Sequence, residues 1–370
     1  MKVQRFICDP RPREPLQVTA VRYQPDILPS DGLTLILAHA ASANKETWAP
    51  LVEELFSLQS SDTVGSSCPK VLEAWAIECP NHGESAVINE ADIKIKFPDL
   101  SWDGTLYARS IHAFLLSKPD GVDFSKRSLV LVGHSIGGSN LMIFDGLQND
   151  FVAKSFILLD GSIAHDTAER RHVSRILSQI TWSKRDAWPS REAAFKDLSR
   201  HPATKSWHPD VLKQFCGNGL REHPAAKFPP PCGYKGGVAL ACSRDNEFAL
   251  CTALEHHVPA LKRLHEVYRD GSRPVHLLFS GTVELIPDKL KQELSAPEPQ
   301  SKRGPASIGY IAGAGHMFVQ THPKETALAI WRILTGAGAQ NESSSGPTAR
   351  NPSSGGGVGV MSAKGVNGRL

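Results

Sequence analysis

Residues 129–138 read L-V-L-V-G-H-S-I-G-G. The apolar run at 129–132 has the composition of a strand buried on both faces. Behind it Gly133, Gly137 and Gly138 permit a turn too tight for side chains. Gly133-His134-Ser135-Ile136-Gly137 fits G-x-S-x-G between a strand and a helix, a pattern that lifts a serine hydroxyl above a sheet end beside a helix N-terminus. Taken alone, the stretch also suits a glycine-eased bend with a spectator serine. Partners for Ser135 at other strand ends decide between the two.

The surrounding chain supplies those ends. Strand-like runs at 33–38, 71–79, 129–132 and 156–159 alternate with helical patterns at 48–58, 106–116 and 140–147, the rhythm of parallel strands joined by crossover helices. The rhythm breaks over residues 163–255, where short helical segments carry Trp182, Trp188 and Trp207. It resumes with strands at 275–279 and 307–311 and a helix at 325–334. These patterns predict a core of residues 1–162 and 256–335 and a helical cap at 163–255. The Gly- and Ser-rich tail at 336–370 has too little to bury and is expected to be disordered. Residues 295–305 read as a surface loop.

Composition narrows the function class. Of 370 residues, 41% are hydrophobic and 21% charged, with 41 basic and 38 acidic residues giving a net charge of +3. Because the charges are mixed along the chain, bulk electrostatics do not point to nucleic acid. No run approaches the roughly eighteen apolar residues of a membrane span. The seven cysteines are odd in number and form no C-x-x-C pair. Free thiols in a reducing, intracellular compartment are expected, and neither a metal nor a nucleotide cofactor is implied.

A serine nucleophile needs a base, and the base needs a carboxylate. Among fifteen histidines, His316 stands apart because it follows the strand at 307–311 across a glycine-lined loop, just ahead of the last helix. The preferred acid is Glu284, in the loop after the strand at 275–279. The alternative is Asp160, which ends the strand that follows the nucleophile in F-I-L-L-D-G. Either gives the order serine, acid, histidine. Donors for an oxyanion are expected from the backbone N–H of Ile136 and from Ala40 or Ala41 in the loop after the strand at 33–38. His39 in that loop could be a second base, but the preferred reading is that it braces the loop.

On these motifs the chain resembles an α/β-hydrolase over residues 33–334. His39-Ala40 with Trp48 downstream is similar to the family's oxyanion loop, with alanine where glycine is usual. Pro80-Asn81-His82-Gly83-Glu84-Ser85 resembles the family's turn after the next strand, and Gly133 to Gly138 matches its nucleophile elbow. Gly281-Thr282-Val283-Glu284 through Pro287 is similar to its acid loop, with Glu284 where aspartate is commoner. Within the superfamily, H-A-A-S-A-N-K-E-T-W, W-H-P-D-V-L and G-V-A-L-A-C-S-R-D-N-E look like a group of fungal hydrolases that includes peroxisomal lipase-like and toxin-biosynthesis-cluster proteins. The terminal Gly368-Arg369-Leu370 is similar to a tripeptide read by a peroxisomal import receptor.

The resemblance implies a mostly parallel sheet flanked by helices and a serine esterase, lipase or thioesterase. Its substrate is expected to be a small hydrophobic ester or thioester, lipid or secondary metabolite, bound under the cap. An acyltransferase or lyase could use the same residues, and a ligand-binding receptor is the alternative outside enzymology.

Overall fold

The structure, a computed structural model, describes residues 1–61, 69–147, 150–227, 236–282 and 285–336. The expected tail beyond residue 336 and Gly368-Arg369-Leu370 lie outside the described residues.

The long apolar runs assemble into one eight-stranded sheet. Its strands are β1 (Lys2–Cys8), β2 (Val18–Gln24), β3 (Leu33–Ala38), β4 (Val71–Ile77), β5 (Ser128–His134), β6 (Ala153–Leu159), β10 (Val275–Ser280) and β11 (Ser307–Ile311), in the order β1-β2-β4-β3-β5-β6-β10-β11. The pairs from β4 to β11 are parallel, while β1 and β2 join antiparallel at one edge. This is the mostly parallel sheet that the resemblance implied. The edge pair was not foreseen. Much of β1 is exposed and polar, with Lys2, Gln4 and Arg5, so it lacks the apolar run that marked the central strands.

Strand residues alternate between two cores. Ile36, Leu129, Leu131, Phe156, Leu158 and Leu277 pack under α4 (Leu106–Leu116), α5 (Ile136–Gly146) and α10 (His257–Asp270). Leu35, Leu37, Val130, Val132, Ile157 and Leu278 pack on the other face under α1 (Ala49–Ser61) and α13 (Pro323–Thr335). Burial on both sides is why these strands read as continuous Val, Ile and Leu runs. From β3 the chain turns to β4 on one side and later to β5 on the other, which opens the crevice where ligands gather in open parallel sheets. Ser135 directly follows β5 and His39 directly follows β3, so both border it.

After β4 come α2 (Gly83–Ile88) and α3 (Glu90–Lys96). Between β6 and α10 run α6 (Ala168–Ser183), α7 (Arg191–Leu198), α8 (Pro209–Asn218) and α9 (Arg244–Thr252). This stretch was expected to be helical throughout, but it also holds a small antiparallel sheet of β7 (Ala187–Trp188), β8 (Leu220–Glu222) and β9 (Val238–Leu240). Strands of two or three residues are too short for periodicity to register. Trp188 and Trp207 are buried in this segment's own core with Val211, Leu212 and Leu240, whereas Trp182 is exposed beside Phe248. After β10 come α11 (Asp288–Ser295), and after β11 the short α12 (Phe318–Thr321).

Helix α5 begins at Ile136, four residues before the expected start, directly behind the serine. That start depends on Gly137. A Cβ there would lie 2.2 Å from the Ala38 carbonyl oxygen and 2.9 Å from that of His39, both rigid backbone atoms. Gly137→Ala is therefore expected to cost about 1–3 kcal/mol in urea unfolding. Gly217→Ala, in α8 with nothing within 4 Å of its Cβ position, is expected to be neutral or stabilising. Equal effects for the two would contradict the close approach of α5 to β3.

Candidate active site

Ser135 sits at φ 54°, ψ −120°, a left-handed conformation unusual for a residue with a side chain. Its amide donates to the Leu159 carbonyl at 2.9 Å, and its own carbonyl accepts from the Ser162 and Gly138 amides at 2.9 and 3.0 Å. These bonds hold the strained turn against the end of β6. The hydroxyl is thereby left half-buried above the sheet.

His316 enters from the loop after β11, placed as its strand-end position implied. Its Nε2 lies 3.0 Å from Ser135 Oγ and its Nδ1 3.1 Å from Asp160 Oδ2. The carboxylate fixes the tautomer, so Nδ1–H donates to Asp160 and the Nε2 lone pair faces the serine hydroxyl. Asp160 is buried at the end of β6, with φ 43°, and its Oδ1 accepts the Ser280 amide of β10 at 3.0 Å. Burial pushes the carboxyl up, but His316 and Ser280 outweigh it and hold it below the usual carboxylate range. Glu284, the acid preferred from sequence, lies outside the described residues. The carboxylate that meets the imidazole is that of Asp160.

The expected oxyanion donors share the same corner. Ile136 is the first residue of α5, and Gly137 behind it rests on the Ala38 and His39 carbonyls, so the helix start closes on the chain that leads into Ala40–Ala41. Among the described residues, the Ile136, Ala40 and Ala41 amides donate to no protein acceptor. Among the described residues, His39 hydrogen-bonds to neither Ser135 nor Asp160. Its amide donates to Tyr107 Oη at 3.0 Å, its Nδ1 donates to the Ala40 carbonyl at 2.8 Å, and its Nε2 accepts the Cys79 amide at 3.0 Å.

Sequence reasoning missed two supports. His134 Nε2 donates to the His316 carbonyl at 2.9 Å, tying the nucleophile strand to the histidine loop. Ser42, at φ 63°, donates to Glu247 Oε1 of α9 at 2.5 Å, and buried Glu247 also meets Thr181 and Lys184. Burial raises the Glu247 carboxyl, and Lys184 more than offsets it. A single buried acid thus links the loop after β3 to the segment between β6 and α10. Its only trace in sequence is an acid between the polar S-R-D-N run and the apolar F-A-L-C stretch.

A cavity of about 560 Å³ lies to one side, lined by Ile93, Phe97, Trp102 and Leu240 and rimmed by Lys94 and Arg221. It touches neither Ser135 nor His316, and the polar array is the better guide to chemistry. Among the described residues, no cluster of His, Cys, Asp and Glu could hold a metal ion, and no helix is long and apolar enough to cross a membrane.

The sequence matches the alpha/beta hydrolase family over residues 35–329. A curated relative, the type I acyl-CoA thioesterase mpaH of Penicillium roqueforti, is 24% identical over 284 residues, covering 74% of this chain and 60% of that protein. The chain therefore spans well under two thirds of that relative. Among solved structures, the peroxisomal alpha-beta-hydrolase Lpx1 of Saccharomyces cerevisiae superposes with a TM-score of 0.67 at 15% identity, over 94% of this chain and 93% of that one. The M. tuberculosis esterase Rv0045c superposes at 0.59, also at 15% identity, over 90% and 91%. At such identities the likeness is one of fold.

Several histidines around the array are buried and neutral. Burial, ahead of any neighbouring charge, pushes His82, His134 and His256 down to about 3 and His257 well below its usual value. The unfolded chain protonates these rings near pH 6.5, so below that pH it binds more protons than the native state. Their contribution to stability is present above pH 6.5 and is lost as pH falls towards 3, by up to about 1.4 kcal/mol per pH unit for each ring. Urea midpoints should accordingly drop between pH 7.5 and pH 5. A flat or rising midpoint over that interval would show that these rings are already protonated in the native protein.

Proposed function

The chain belongs to the alpha/beta-hydrolase family, and on that premise we propose that it is a serine hydrolase cleaving a carboxylic ester or thioester. The reading is carried by the hydrogen-bonded run from Ser135 Oγ through His316 to Asp160, with both imidazole nitrogens engaged at 3.0 and 3.1 Å. The name of the thioesterase relative supports the thioester class, and the same array would cleave a carboxylic ester.

In the proposed reaction His316 Nε2 takes the Ser135 proton as Oγ attacks the carbonyl carbon. Asp160 stabilises the resulting imidazolium through Nδ1–H, and its lowered pKa keeps it an acceptor throughout. The Ile136 amide, with that of Ala40 or Ala41, receives the oxyanion. His316 then protonates the departing alcohol or thiol. Water activated by the same nitrogen releases the acid from the acyl-enzyme. We assign the acid role to Asp160 in place of Glu284.

The 163–255 segment acts in this proposal as the cap over the crevice, fastened by the Ser42–Glu247 contact. Its buried tryptophans stabilise the cap itself, so the hydrophobic part of the substrate is recognised by other side chains.

A fluorophosphonate probe should label the wild type and fail to label Ser135→Ala. The same variant should lose turnover of p-nitrophenyl butyrate and butyryl-CoA. Asp160→Asn, which cannot hold the imidazolium, should lower kcat by about 10³–10⁴. Glu284→Gln should lower it less than tenfold. Turnover surviving in Ser135→Ala, or a larger loss in Glu284→Gln than in Asp160→Asn, would overturn the assignment.

A further inference from the structure

Arg170 lies in the first turn of α6, where Thr167 Oγ1 accepts its amide at 3.2 Å. The side chain is only 5% exposed. Its Nε donates to His257 Nε2 at 2.7 Å, and among the described residues its other two guanidinium nitrogens donate to no protein atom and form no ion pair. Arg22, similarly buried, is matched by Glu73 at 2.7 Å and Asp120 at 2.9 Å. A buried charge left unpaired costs several kcal/mol.

The surroundings of Arg170 raise that cost. His257 cannot serve as a counter-charge: its Nδ1 donates to the Ser162 carbonyl at 2.6 Å, so the Nε2 facing Arg170 is the lone pair of a neutral ring. A cation in the first turn of a helix opposes the helix dipole, and the first residue of α10 is His257 itself, so two helix N-termini converge on the guanidinium. Burial pushes the Arg170 pKa down to about 10. The position is continuous with the candidate site. Ser162, which holds His257 by its carbonyl, donates its amide to the Ser135 carbonyl at 2.9 Å and follows Asp160 by two residues.

We propose that Arg170 is the anchor of an anion-binding subsite beside Ser135, taking a carboxylate or phosphate oxyanion carried by the substrate. The inference rests on the serine-hydrolase reading and deepens it by naming a charged substrate class. The two free guanidinium nitrogens form a planar fork that suits bidentate pairing with such a group. The oxyanion supplies the missing counter-charge, and the neutral His257 holds the fork in place. A carboxylate would sit on the acyl part, as in a half-ester of a dicarboxylic acid. A phosphate would sit on the leaving thiol, as in a coenzyme A thioester.

Two matched substrate pairs separate these sources: mono-p-nitrophenyl glutarate against p-nitrophenyl valerate, and butyryl-CoA against S-butyryl-N-acetylcysteamine. In one pair, Arg170→Gln should lower the charged-to-neutral ratio of kcat/KM at least tenfold, and Arg170→Lys should retain part of it. An equal loss on all four substrates would make Arg170 a brace for His257 and overturn the subsite, as would ratios that do not move. Calorimetric binding of glutarate and of coenzyme A to Ser135→Ala requires no turnover. One of them should bind, and adding Arg170→Gln should abolish it; if neither binds, the subsite is refuted even if Ser135 proves to be the nucleophile. Conversely, binding that depends on Arg170, without Ser135-dependent turnover of any substrate, would sink the hydrolase reading and leave the subsite standing.

Discussion

The architecture around Ser135 depends on the absence of a side chain at three points between β5 and α5. A Cβ on Gly133 would meet Gly138 Cα at 2.5 Å, one on Gly137 would meet the Ala38 carbonyl at 2.2 Å, and one on Gly138 would meet the Gly133 carbonyl oxygen at 3.3 Å. Those gaps let the helix start immediately after the turn and bring Gly137 against the Ala38 and His39 carbonyls. Strain at Ser135 is tolerated because its amide and carbonyl are both tied to residues at or just beyond the end of β6. Without that closure the proposed nucleophile, the helix N-terminus and the Ala40–Ala41 loop would not share a corner.

Buried charge fixes the other wall of that corner. Lys45 is fully buried, with its Nζ 2.9 Å from Glu78, 3.1 Å from Glu46 and 3.2 Å from Glu84. Burial pushes the Glu78 carboxyl up, but the Lys45 ammonium leads the interactions that outweigh it and hold it at about 2. An ion cluster of this kind is a poor source of net stability, because the desolvation of each member offsets much of the attraction. What it supplies is geometry: the Lys45 amide also donates to Glu78 at 2.9 Å, so the chain just beyond Ala40–Ala41 is pinned to the end of β4. Gly83, at φ 47°, completes the arrangement, since a Cβ there would fall 2.2 Å from Glu78 Oε2. The glycine in the Pro80–Ser85 turn answers to a buried carboxylate as well as to backbone conformation.

Much of this was legible in the sequence, and the rest was hidden for physical reasons. Strands buried on both faces announce themselves as continuous apolar runs, so the strand at 33–38 matches β3 residue for residue; the half-exposed edge strand β11 at 307–311 and the helix α4 at 106–116 also match their expected bounds. Ser135 and His316 stand out in the sequence because a strand end followed by glycines is a positional signal, and the structure brings their side chains within 3.0 Å. The acid was harder, since both Asp160 and Glu284 end or follow a strand, and the family pattern favoured the later loop. Which carboxylate reaches the imidazole depends on strand order, and order is a property of the assembled sheet. For the same reason Arg170, His257, Lys184 and Glu247 carried no signal: their neighbours lie far away in sequence, and each reads on its own as an ordinary polar residue of a helix.

Strand order also explains how an acid at the end of β6 can serve a histidine delivered by β11. The strand between them, β10, orients the carboxylate: the Ser280 amide donates to Asp160 Oδ1, leaving Oδ2 for His316. Ser280 is itself held from behind by buried Lys291 of α11, whose Nζ donates to the Ser280 carbonyl and hydroxyl at 2.9 Å each. The Lys291 contact fixes the Ser280 end of β10 without competing for the carboxylate oxygen that faces the imidazole. With Asp160 as the acid, the loop after β10 need not carry a carboxylate to His316, and the demand on that part of the fold moves to the amide of Ser280 and the length of Lys291. The pairing of an acid just past one strand with an orienting amide on the next holds the Asp160–His316 contact in place, because β6 and β10 are hydrogen-bonded strands of the same sheet.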